Sequence, residues 1–381
     1  MTTFSGPRVV RLTLQDFRTY PSLDLAVERR LVALAGENGA GKTNLLEALS
    51  LFSPGRGLRR ADLSEMARRP GPGTFSVAAA VETAYGEHQL GTGIEPAGDG
   101  RSGRICRVDA AQAPSPAAFS EYVRLVWLTP DLDGLFRGPA GERRRFLDRL
   151  VLAIHPGHGA RVAALERALR SRNRLLEEGD DRAWLDAVER EVAELGIAVA
   201  AARREAVERL SALILATRDD GSPFPFATLA LEGEMDALIA AHPAVDAEDR
   251  YRAILRDGRA RDRAAGRTLA GPQASDLQVG HGPKEIPAGM ASTGEQKALL
   301  IGLVLAQARL VAAMSGIAPL VLLDEVAAHL DPGRRRALFE ALERLDGQVW
   351  MTGADPALFA ELSSRADLLH VAPGRVEPLS G

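Results

Sequence analysis

The most constraining feature of the sequence is a glycine-rich segment that joins an apolar run to a helical pattern. Residues 36–43 read Gly-Glu-Asn-Gly-Ala-Gly-Lys-Thr and fit the pattern G-x-x-x-x-G-K-T. The apolar run 31–35 precedes this segment, and leucines and alanines recur at helical spacing from Asn44 onwards. A chance glycine turn before a helix is the alternative. The patterns on both sides favour a phosphate-binding loop between a strand and a helix, which indicates an α/β fold.

The residues of this loop have predicted parts in binding a nucleotide. Successive backbone N–H groups in such a loop point at the β- and γ-phosphates, and the helix N-terminus adds favourable partial charge. We expect Lys42 to bring a positive charge to the phosphates and the Thr43 hydroxyl to ligate Mg²⁺. ATP and Mg²⁺ are therefore the predicted cofactors. The predicted nucleotide-binding residues are Gly36, Glu37, Asn38, Gly39, Ala40, Gly41, Lys42, Thr43 and Asn44.

A second apolar run, 320–323, ends in two acids, Asp324 and Glu325. We expect Asp324 to hold Mg²⁺ through water, and Glu325 to orient or deprotonate the attacking water as the catalytic residue. Such a strand end is common, so a plain buried strand is the alternative. The pair Leu330-Asp331 that follows after a short gap favours the catalytic interpretation, because the whole resembles the Walker B motif and D-loop of ABC-type ATPases.

A predicted helix start upstream resembles the signature of the same ATPases, Ser-x-Gly-(Gly, Gln or Glu)-Gln. The matching residues are Ser292, Thr293, Gly294, Glu295 and Gln296. In ABC heads this segment faces the γ-phosphate held by the partner subunit, so the resemblance implies an ATP-dependent homodimer. A plain helix N-cap by Ser292 or Thr293 is the alternative. Thr352 stands near the position where many such heads have a histidine, which predicts slow hydrolysis, and Pro130-Asp131 occupies the expected place of a glutamine.

The remaining patterns divide the chain into three parts. Residues 1–137 contain the loop and short strands broken by glycine and proline, which predict a β-rich lobe with a flexible loop at 95–103. Residues 138–265 are rich in Ala, Leu, Glu and Arg, and apolar residues keep a 3-4 spacing between 185 and 206. Two helices that double back near 178–181, with an N-capping aspartate there, are predicted. The α/β pattern returns in 266–381. The predicted fold is thus an ABC-type P-loop ATPase head with an inserted helical, short coiled-coil-like lobe, for which an ordinary helical lobe is the alternative.

Composition excludes several classes of protein. Hydrophobic residues make up 46% of the chain, and no apolar run approaches the roughly 18 residues of a membrane span, so we expect a soluble protein without a signal peptide. A single cysteine, Cys106, permits no internal disulfide and no cysteine-based zinc site, in agreement with a reducing cytoplasm. The net charge of -4 means that contact with nucleic acid must come from a local basic face.

Several segments outside the ATP motifs resemble the RecF family of bacterial recombination mediators. Residues 14–20 read L-Q-D-F-R-T-Y, similar to the family's L-x-N-F-R-N-Y, and residues 42–47 continue the loop with N-L-L-E. From 130 to 148 the spacing agrees with P-E-D-L…G…R-R-x-F-L-D. Near the family's T-x-x-G-P-H-R-D-D-L the chain departs from the pattern, with Gln273, Ala274 and Ser275. The ordered motifs extend from residue 12 to about 353.

The resemblance implies ATP-dependent binding to single-stranded, double-stranded or gapped DNA, and cooperation with RecR and RecO in loading RecA during cytoplasmic DNA repair. It also implies that Arg18 approaches the nucleotide, with a structural arginine as the alternative. Arginine-rich stretches predict DNA contacts at Arg143, Arg144, Arg259 and Arg261, each of which could instead be a solvated or ion-paired residue. A transporter ATPase subunit and a chromosome-structuring ATPase are the rival functions. The helical insertion and the missing histidine disfavour the first, and the short predicted arm disfavours the second.

Overall fold

The computed structural model describes residues 6–95, 103–179, 182–328 and 330–379. Tertiary contacts divide the chain into two compact units. Unit 1 contains 1–133, 219–225 and 292–381, and unit 2 contains 134–218 and 226–291. The core of the predicted flexible loop, 96–102, and the predicted capping aspartates at 180–181 lie outside the described residues. The predicted domain boundaries after 137 and 265 stay predictions.

The regular elements alternate between the two units along the chain. The first group, in unit 1, is β1 (Arg8–Phe17), β2 (Tyr20–Ala26), β3 (Leu31–Ala35), α1 (Lys42–Ser50), α2 (Leu63–Met66), β4 (Phe75–Thr83), β5 (Gly86–Ile94), β6 (Arg104–Val108), β7 (Ala111–Gln112) and β8 (Leu125–Leu128). The second group, in unit 2, is α3 (Ala140–Ile154), α4 (His158–Glu178), α5 (Arg182–Ala216), β9 (Ala227–Glu232), α6 (Glu234–Ala241), α7 (Ala244–Asp257), α8 (Arg259–Ala265), β10 (Asp276–His281) and β11 (Ile286–Pro287). The third group returns to unit 1 with α9 (Thr293–Ser315), β12 (Leu320–Leu323), α10 (Pro332–Glu343), β13 (Val349–Gly353), β14 (Ala366–Ala372) and β15 (Arg375–Pro378).

Unit 1 is built on two six-stranded sheets. The antiparallel sheet has the order β2-β1-β4-β5-β6-β7, and the second sheet has the order β15-β14-β3-β13-β12-β8. Strands β14, β3, β13, β12 and β8 of the second sheet are parallel, and β15 joins its edge antiparallel. All five residues of β3 are buried, as expected for a parallel strand that is covered on both faces. One hydrophobic cluster contains residues of both sheets, of α1 and Ala40 of the loop, so the predicted helix packs in the main core of the unit and anchors the loop at its surface.

Helix α9 is the long core helix of unit 1. Among the described residues it is the one helix whose length and composition would allow it to cross a membrane. However, 67% of its most apolar 18-residue window is buried inside the protein. Its apolar character is therefore explained by packing in the head.

Unit 2 joins helices to a small sheet with the order β11-β10-β9. The predicted apolar stripes of α4 and α5 meet in one cluster, in which Leu165 and Leu169 pack with Val192 and Val199, and Tyr251 of α7 completes the contact. The predicted 3-4 spacing thus forms a helix-helix seam as expected.

A fully buried arginine joins four segments of unit 2. Arg172 of α4 donates to Glu189 of α5 at 3.0 Å and to Asp262 of α8 at 2.8 Å. It also donates to the Thr268 hydroxyl at 2.8 Å and to the carbonyl oxygen of Leu255 at 2.7 Å. The guanidinium is 0% exposed, so these bonds replace its lost hydration.

We predict that Arg172→Met destabilises the protein by about 3–5 kcal/mol, because it leaves buried carboxylates without their cation. Urea unfolding followed by far-ultraviolet circular dichroism measures this change. The matched control is Arg174→Met, two residues further along α4. The Arg174 side chain is 76% exposed and pairs with Glu178. Equal unfolding curves for the two variants would contradict the central role of Arg172.

Candidate nucleotide-binding site

The loop before α1 requires a glycine at one position. Gly41 has a φ of 110°, and a Cβ atom added there would lie 2.8 Å from both the Thr19 hydroxyl and the Tyr20 hydroxyl. Tyr20 donates to the carbonyl oxygen of Gly41 at 3.1 Å, and the Asn44 amide donates to Thr19 at 3.0 Å. Residues of the β1–β2 turn therefore hold the loop in shape. Sequence reasoning missed Thr19 and Tyr20, because their contact with the loop is not local.

Lys42 begins α1 and is 4% exposed. Its ammonium donates to the carbonyl oxygens of Gly36 at 2.7 Å and Glu37 at 2.9 Å, so the loop wraps around the charge. Burial lowers the pKa of Lys42, while the carboxylates of Glu325 and Asp324 oppose that shift. A compact ammonium with three donors fits this small space better than the planar fork of arginine.

The predicted magnesium ligands lie together. The Thr43 hydroxyl donates to the Asp324 carboxylate, with distances of 3.0 and 3.1 Å to its two oxygens. Burial raises the pKa of Asp324, against the opposing hydrogen bonds from Thr352 and Thr43. A hydroxyl and a carboxylate fit the oxygen preference of Mg²⁺, which in nucleotide sites takes few protein ligands and completes its shell with phosphates and water. The described residues contain no group of three or more His, Cys, Asp or Glu side chains that could hold a metal ion.

Thr352 of β13 fixes both acids at the end of β12. It is 0% exposed, and its hydroxyl donates to Asp324 at 2.7 Å while it accepts from the backbone N–H of Glu325 at 2.9 Å. Glu325 has a φ of 52°, a conformation that costs a non-glycine residue about 1–3 kcal/mol. The bond to Thr352 helps to hold this backbone, which directs the predicted catalytic carboxylate.

The signature-like segment begins α9 with a capping box. Ser292 accepts from the backbone N–H of Glu295 at 3.4 Å, and Glu295 accepts from the backbone N–H of Ser292 at 3.0 Å. The N-cap alternative is therefore present. Thr293, Gly294 and Gln296 follow in the first turn of the helix. Contact of these residues with a partner's nucleotide stays a prediction.

The predicted D-loop residue is joined to the signature segment by an arginine from one of the arginine-rich stretches of the sequence. Asp331 caps α10 by accepting from the backbone N–H of Arg334 at 2.9 Å. The Arg334 guanidinium donates to the carbonyl oxygen of Gly294 at 3.3 Å. The signature segment, which is predicted to face a partner subunit, and the D-loop residue are thus adjacent within unit 1.

Arg18 has the structural role that was the alternative to a nucleotide contact. It forms two bonds with the buried Glu47 carboxylate, at 2.8 and 2.7 Å, and donates to the carbonyl oxygen of Glu65 at 2.9 Å. Arg59 donates to the same carboxylate at 3.1 Å and to the Asn44 side chain at 2.7 Å. Glu47 and Arg59 were absent from the predicted site, although a charged residue on an otherwise apolar helix was a signal for Glu47. A contact between Arg18 and the nucleotide stays a prediction.

The four predicted DNA-contact arginines belong to unit 2 and differ in availability. Arg143 forms two bonds with Asp276, at 2.8 and 2.7 Å, and Arg144 donates to the carbonyl oxygen of Ser275 at 2.7 Å. Arg259 is paired with Glu189 and Asp186, both at 2.5 Å. Arg261 is 58% exposed and lies 3.8 Å from Asp262. The ion-pair alternative therefore holds for Arg143 and Arg259, and Arg261 is the most accessible of the four.

These elements define a class of protein. They are the parts of an ABC-type P-loop ATPase head: a phosphate-binding loop after a parallel strand, an acid pair after a second strand of that sheet, and a helix that begins at a signature-like segment.

The family profile described as the RecF/RecN/SMC N terminal domain matches residues 8–374. The chain is 54% identical to the DNA replication and repair protein RecF of Mesorhizobium japonicum over 97% of both chains. It is also 54% identical to that of Rhizobium meliloti, with 97% and 98% of the two chains covered. The chain belongs to the RecF family.

Solved structures share the fold. One described as the recombination mediator protein RecF-ATP in the RecFOR pathway has a TM-score of 0.82 at 20% identity, with 98% and 99% of the two chains covered. An SMC head bound to the C-winged helix domain of ScpA has a TM-score of 0.54 at 17% identity, with 98% and 97% covered. The predicted fold class, an ABC-type head of the kind found in SMC proteins, is confirmed.

We predict that Thr352→Val lowers the kcat for ATP hydrolysis about 10- to 100-fold with little change in ATP affinity. The variant leaves the N–H of Glu325 without its acceptor, which costs about 1–3 kcal/mol. Steady-state phosphate release and equilibrium nucleotide titration separate the two quantities. Thr352→Ser keeps the hydroxyl and should retain most of the activity. If Ser and Val lose equal activity, the hydroxyl does not act through the two acids.

Proposed function

We propose that this protein binds ATP with Mg²⁺, dimerises on ATP and binds DNA in replication-gap and recombinational repair. The observation that carries the proposal is the junction of Thr43, Asp324 and Thr352, where the loop helix, the acid pair and a third strand meet through hydrogen bonds of 2.7 to 3.1 Å. Relatives of this chain named DNA replication and repair protein RecF support the biological context.

The proposed nucleotide chemistry assigns separate tasks to the residues of the site. Backbone N–H groups of Gly36 to Gly41 hold the phosphates, with Lys42 as the fixed cation. Thr43 and Asp324 hold Mg²⁺, which when bound neutralises charge on the phosphates. Glu325 accepts a proton from the attacking water. A threonine near the expected histidine position leaves one cationic group fewer at the γ-phosphate, which supports slow turnover and the action of ATP as a switch.

The proposed dimer uses the signature of one subunit on the nucleotide of the other. Ser292 and the N-terminus of α9 supply a hydroxyl and backbone N–H groups, which suit an anionic phosphate. The link from Gly294 through Arg334 to Asp331 supports a shared surface, because a shift of one segment moves the other.

The proposed DNA contact relies on exposed basic residues of unit 2, with Arg261 foremost. Phosphate contacts of this kind give affinity without sequence preference. RecO and RecR are the proposed partners, since related structures are described within the RecFOR pathway, and loading of RecA in the cytoplasm is the proposed outcome.

We predict that Glu325→Gln traps an ATP-bound dimer, because the amide cannot accept the proton from water. Light scattering should give about twice the monomer mass after ATP is added to this variant. Adding Ser292→Arg to this variant should abolish the increase in mass, because the long arginine side chain disrupts the phosphate-facing surface. Ser363→Arg, at an exposed position of the same unit, is the control for added charge. A dimer that survives Ser292→Arg would contradict the role of the signature in trans.

We predict that ATP strengthens binding to gapped duplex DNA, as measured by fluorescence anisotropy at several salt concentrations. Arg261→Gln should reduce the dependence of log K on log salt by about one, because one phosphate contact is lost. Arg209→Gln is the control, since Arg209 is 55% exposed in the same unit and is not a predicted contact. Affinity that is independent of ATP, or equal salt slopes for both variants, would contradict the proposal.

A further inference from the structure

An arginine of α10 lies against the signature segment. Arg334 donates from Nη1 to the carbonyl oxygen of Gly294 at 3.3 Å. A Cβ atom added at Gly294 would lie 3.6 Å from the same Nη1, so the guanidinium covers this glycine at ordinary contact distance. The backbone of Arg334 is held in place, because its N–H donates to the Asp331 carboxylate at 2.9 Å where α10 begins. The signature segment therefore carries a cation beside its central glycine.

Most of the hydrogen-bonding capacity of Arg334 is unused within the part of the chain that the structure describes. A guanidinium has five N–H donors. The bond to Gly294 is the one hydrogen bond that the described residues accept from this guanidinium, since the Asp331 carboxylate lies 3.6 Å from Nε. The Arg334 side chain is 33% exposed. Arg143, by contrast, forms two bonds with one carboxylate. Arg334 can therefore bind an anion without giving up a close ion pair.

The surface around Arg334 needs a positive charge if it is to meet a phosphate. Glu295, in the first turn of α9, directs its carboxylate at the backbone N–H of Ser292 at 3.0 Å, and Asp331 is 59% exposed. Two carboxylates on one surface repel an anionic ligand unless a cation offsets them. Lys297, the next cation along α9, lies 3.3 Å from Asp133. Arg334 is thus the cation placed to offset the two acids at the signature segment.

The subunit that holds ATP lacks one expected cation of its own. Thr352 stands near the position where many ABC-type heads have a histidine, and its hydroxyl brings no positive charge to the γ-phosphate. Preorganised donors stabilise the charge that develops on this phosphate during hydrolysis, and an arginine supplied by a second subunit is one way to provide them. The proposed dimer turns the signature segment, with Arg334 beside it, toward the partner's nucleotide.

We propose that Arg334 of one subunit donates to the γ-phosphate of the ATP that the other subunit holds, and so acts as a catalytic residue in trans. The inference rests on the proposed ATP-dependent dimer. Within a single subunit the guanidinium lies on the Gly294 carbonyl oxygen, and its remaining N–H donors are available to the phosphate. The planar fork of arginine matches two oxygens of one phosphate group.

Mixed dimers test whether Arg334 acts in trans. A Glu325→Gln subunit binds ATP and offers its own Arg334 but does not hydrolyse, and an Arg334→Met subunit has the opposite defect. We expect each variant alone to release phosphate at least about tenfold more slowly than the unaltered chain. An equal mixture should be at least about threefold faster than either alone, because one site of each mixed dimer has both Glu325 and Arg334. A mixture no faster than the separate variants would overturn the proposal.

Substitutions at position 334 separate contact with the phosphate from support of Gly294. Arg334→Gln keeps an N–H donor for the carbonyl oxygen but loses the charge, so its kcat should fall as far as that of Arg334→Met. Arg334→Lys keeps the charge and should retain a higher kcat than either. The matched control is Arg336→Met on the same helix, where the side chain is 66% exposed and lies 3.5 Å from Glu361. This control should keep the unaltered rate. An unaltered rate in Arg334→Gln would assign Arg334 to Gly294 alone and overturn the proposal.

Failure of this inference can be told apart from failure of the proposed function. The absence of an ATP-dependent dimer of Glu325→Gln, measured by light scattering, would overturn both. A dimer that forms in Glu325→Gln, together with unaltered hydrolysis in Arg334→Met, would overturn the role of Arg334 alone.

Discussion

Strand β3 joins the two ends of the chain, and the candidate site depends on that pairing. Leu31 pairs with Val349 of β13 on one side and with Ala366 of β14 on the other. The backbone N–H of Gly36 then donates to the carbonyl oxygen of Gly353 at 3.3 Å, which anchors the start of the loop. The loop therefore acquires its shape only after residues more than 300 positions apart have met. Such long-range parallel pairing closes a large loop of chain, which costs conformational entropy and slows folding.

The same pairing sets the spacing of the acids relative to the loop. Strand β12 lies next to β13, so Asp324 leaves its strand beside Thr352 and opposite Thr43. Each hydroxyl in this group uses its hydrogen for Asp324, and Thr352 still accepts from the N–H of Glu325. A buried polar network of this kind is rigid only when every member is satisfied. The threonine therefore supplies the orienting bond at this strand end without bringing the charge that a histidine could carry.

The local sequence pattern was sufficient to predict the parts of the site that directly follow a strand. The fully buried strand β3 and the glycines after it could be predicted because the hydrophobic periodicity and the composition change within ten residues. The ion pairs were not readable in this way. Glu47 meets Arg18, and Arg143 meets Asp276, across 29 and 133 positions, and neither partner carries a local signal for the other. Sequence reasoning could count arginines in unit 2, but the fold decided which of them face acids.

This pairing changes how the arginine-rich composition should be interpreted. Arg172 and Arg203 are buried in unit 2, where Arg203 forms two bonds of 2.8 Å with Asp148. Buried guanidinium groups with matched carboxylates add no positive potential at the surface, because each pair is neutral at the Debye distances over which DNA is attracted. The number of arginines in a chain with net charge -4 therefore overstates the number that can meet a phosphate. Only the arginines that remain exposed, as Arg261 does, can contribute to the proposed DNA affinity. The proposed dimer would double their number on one assembly.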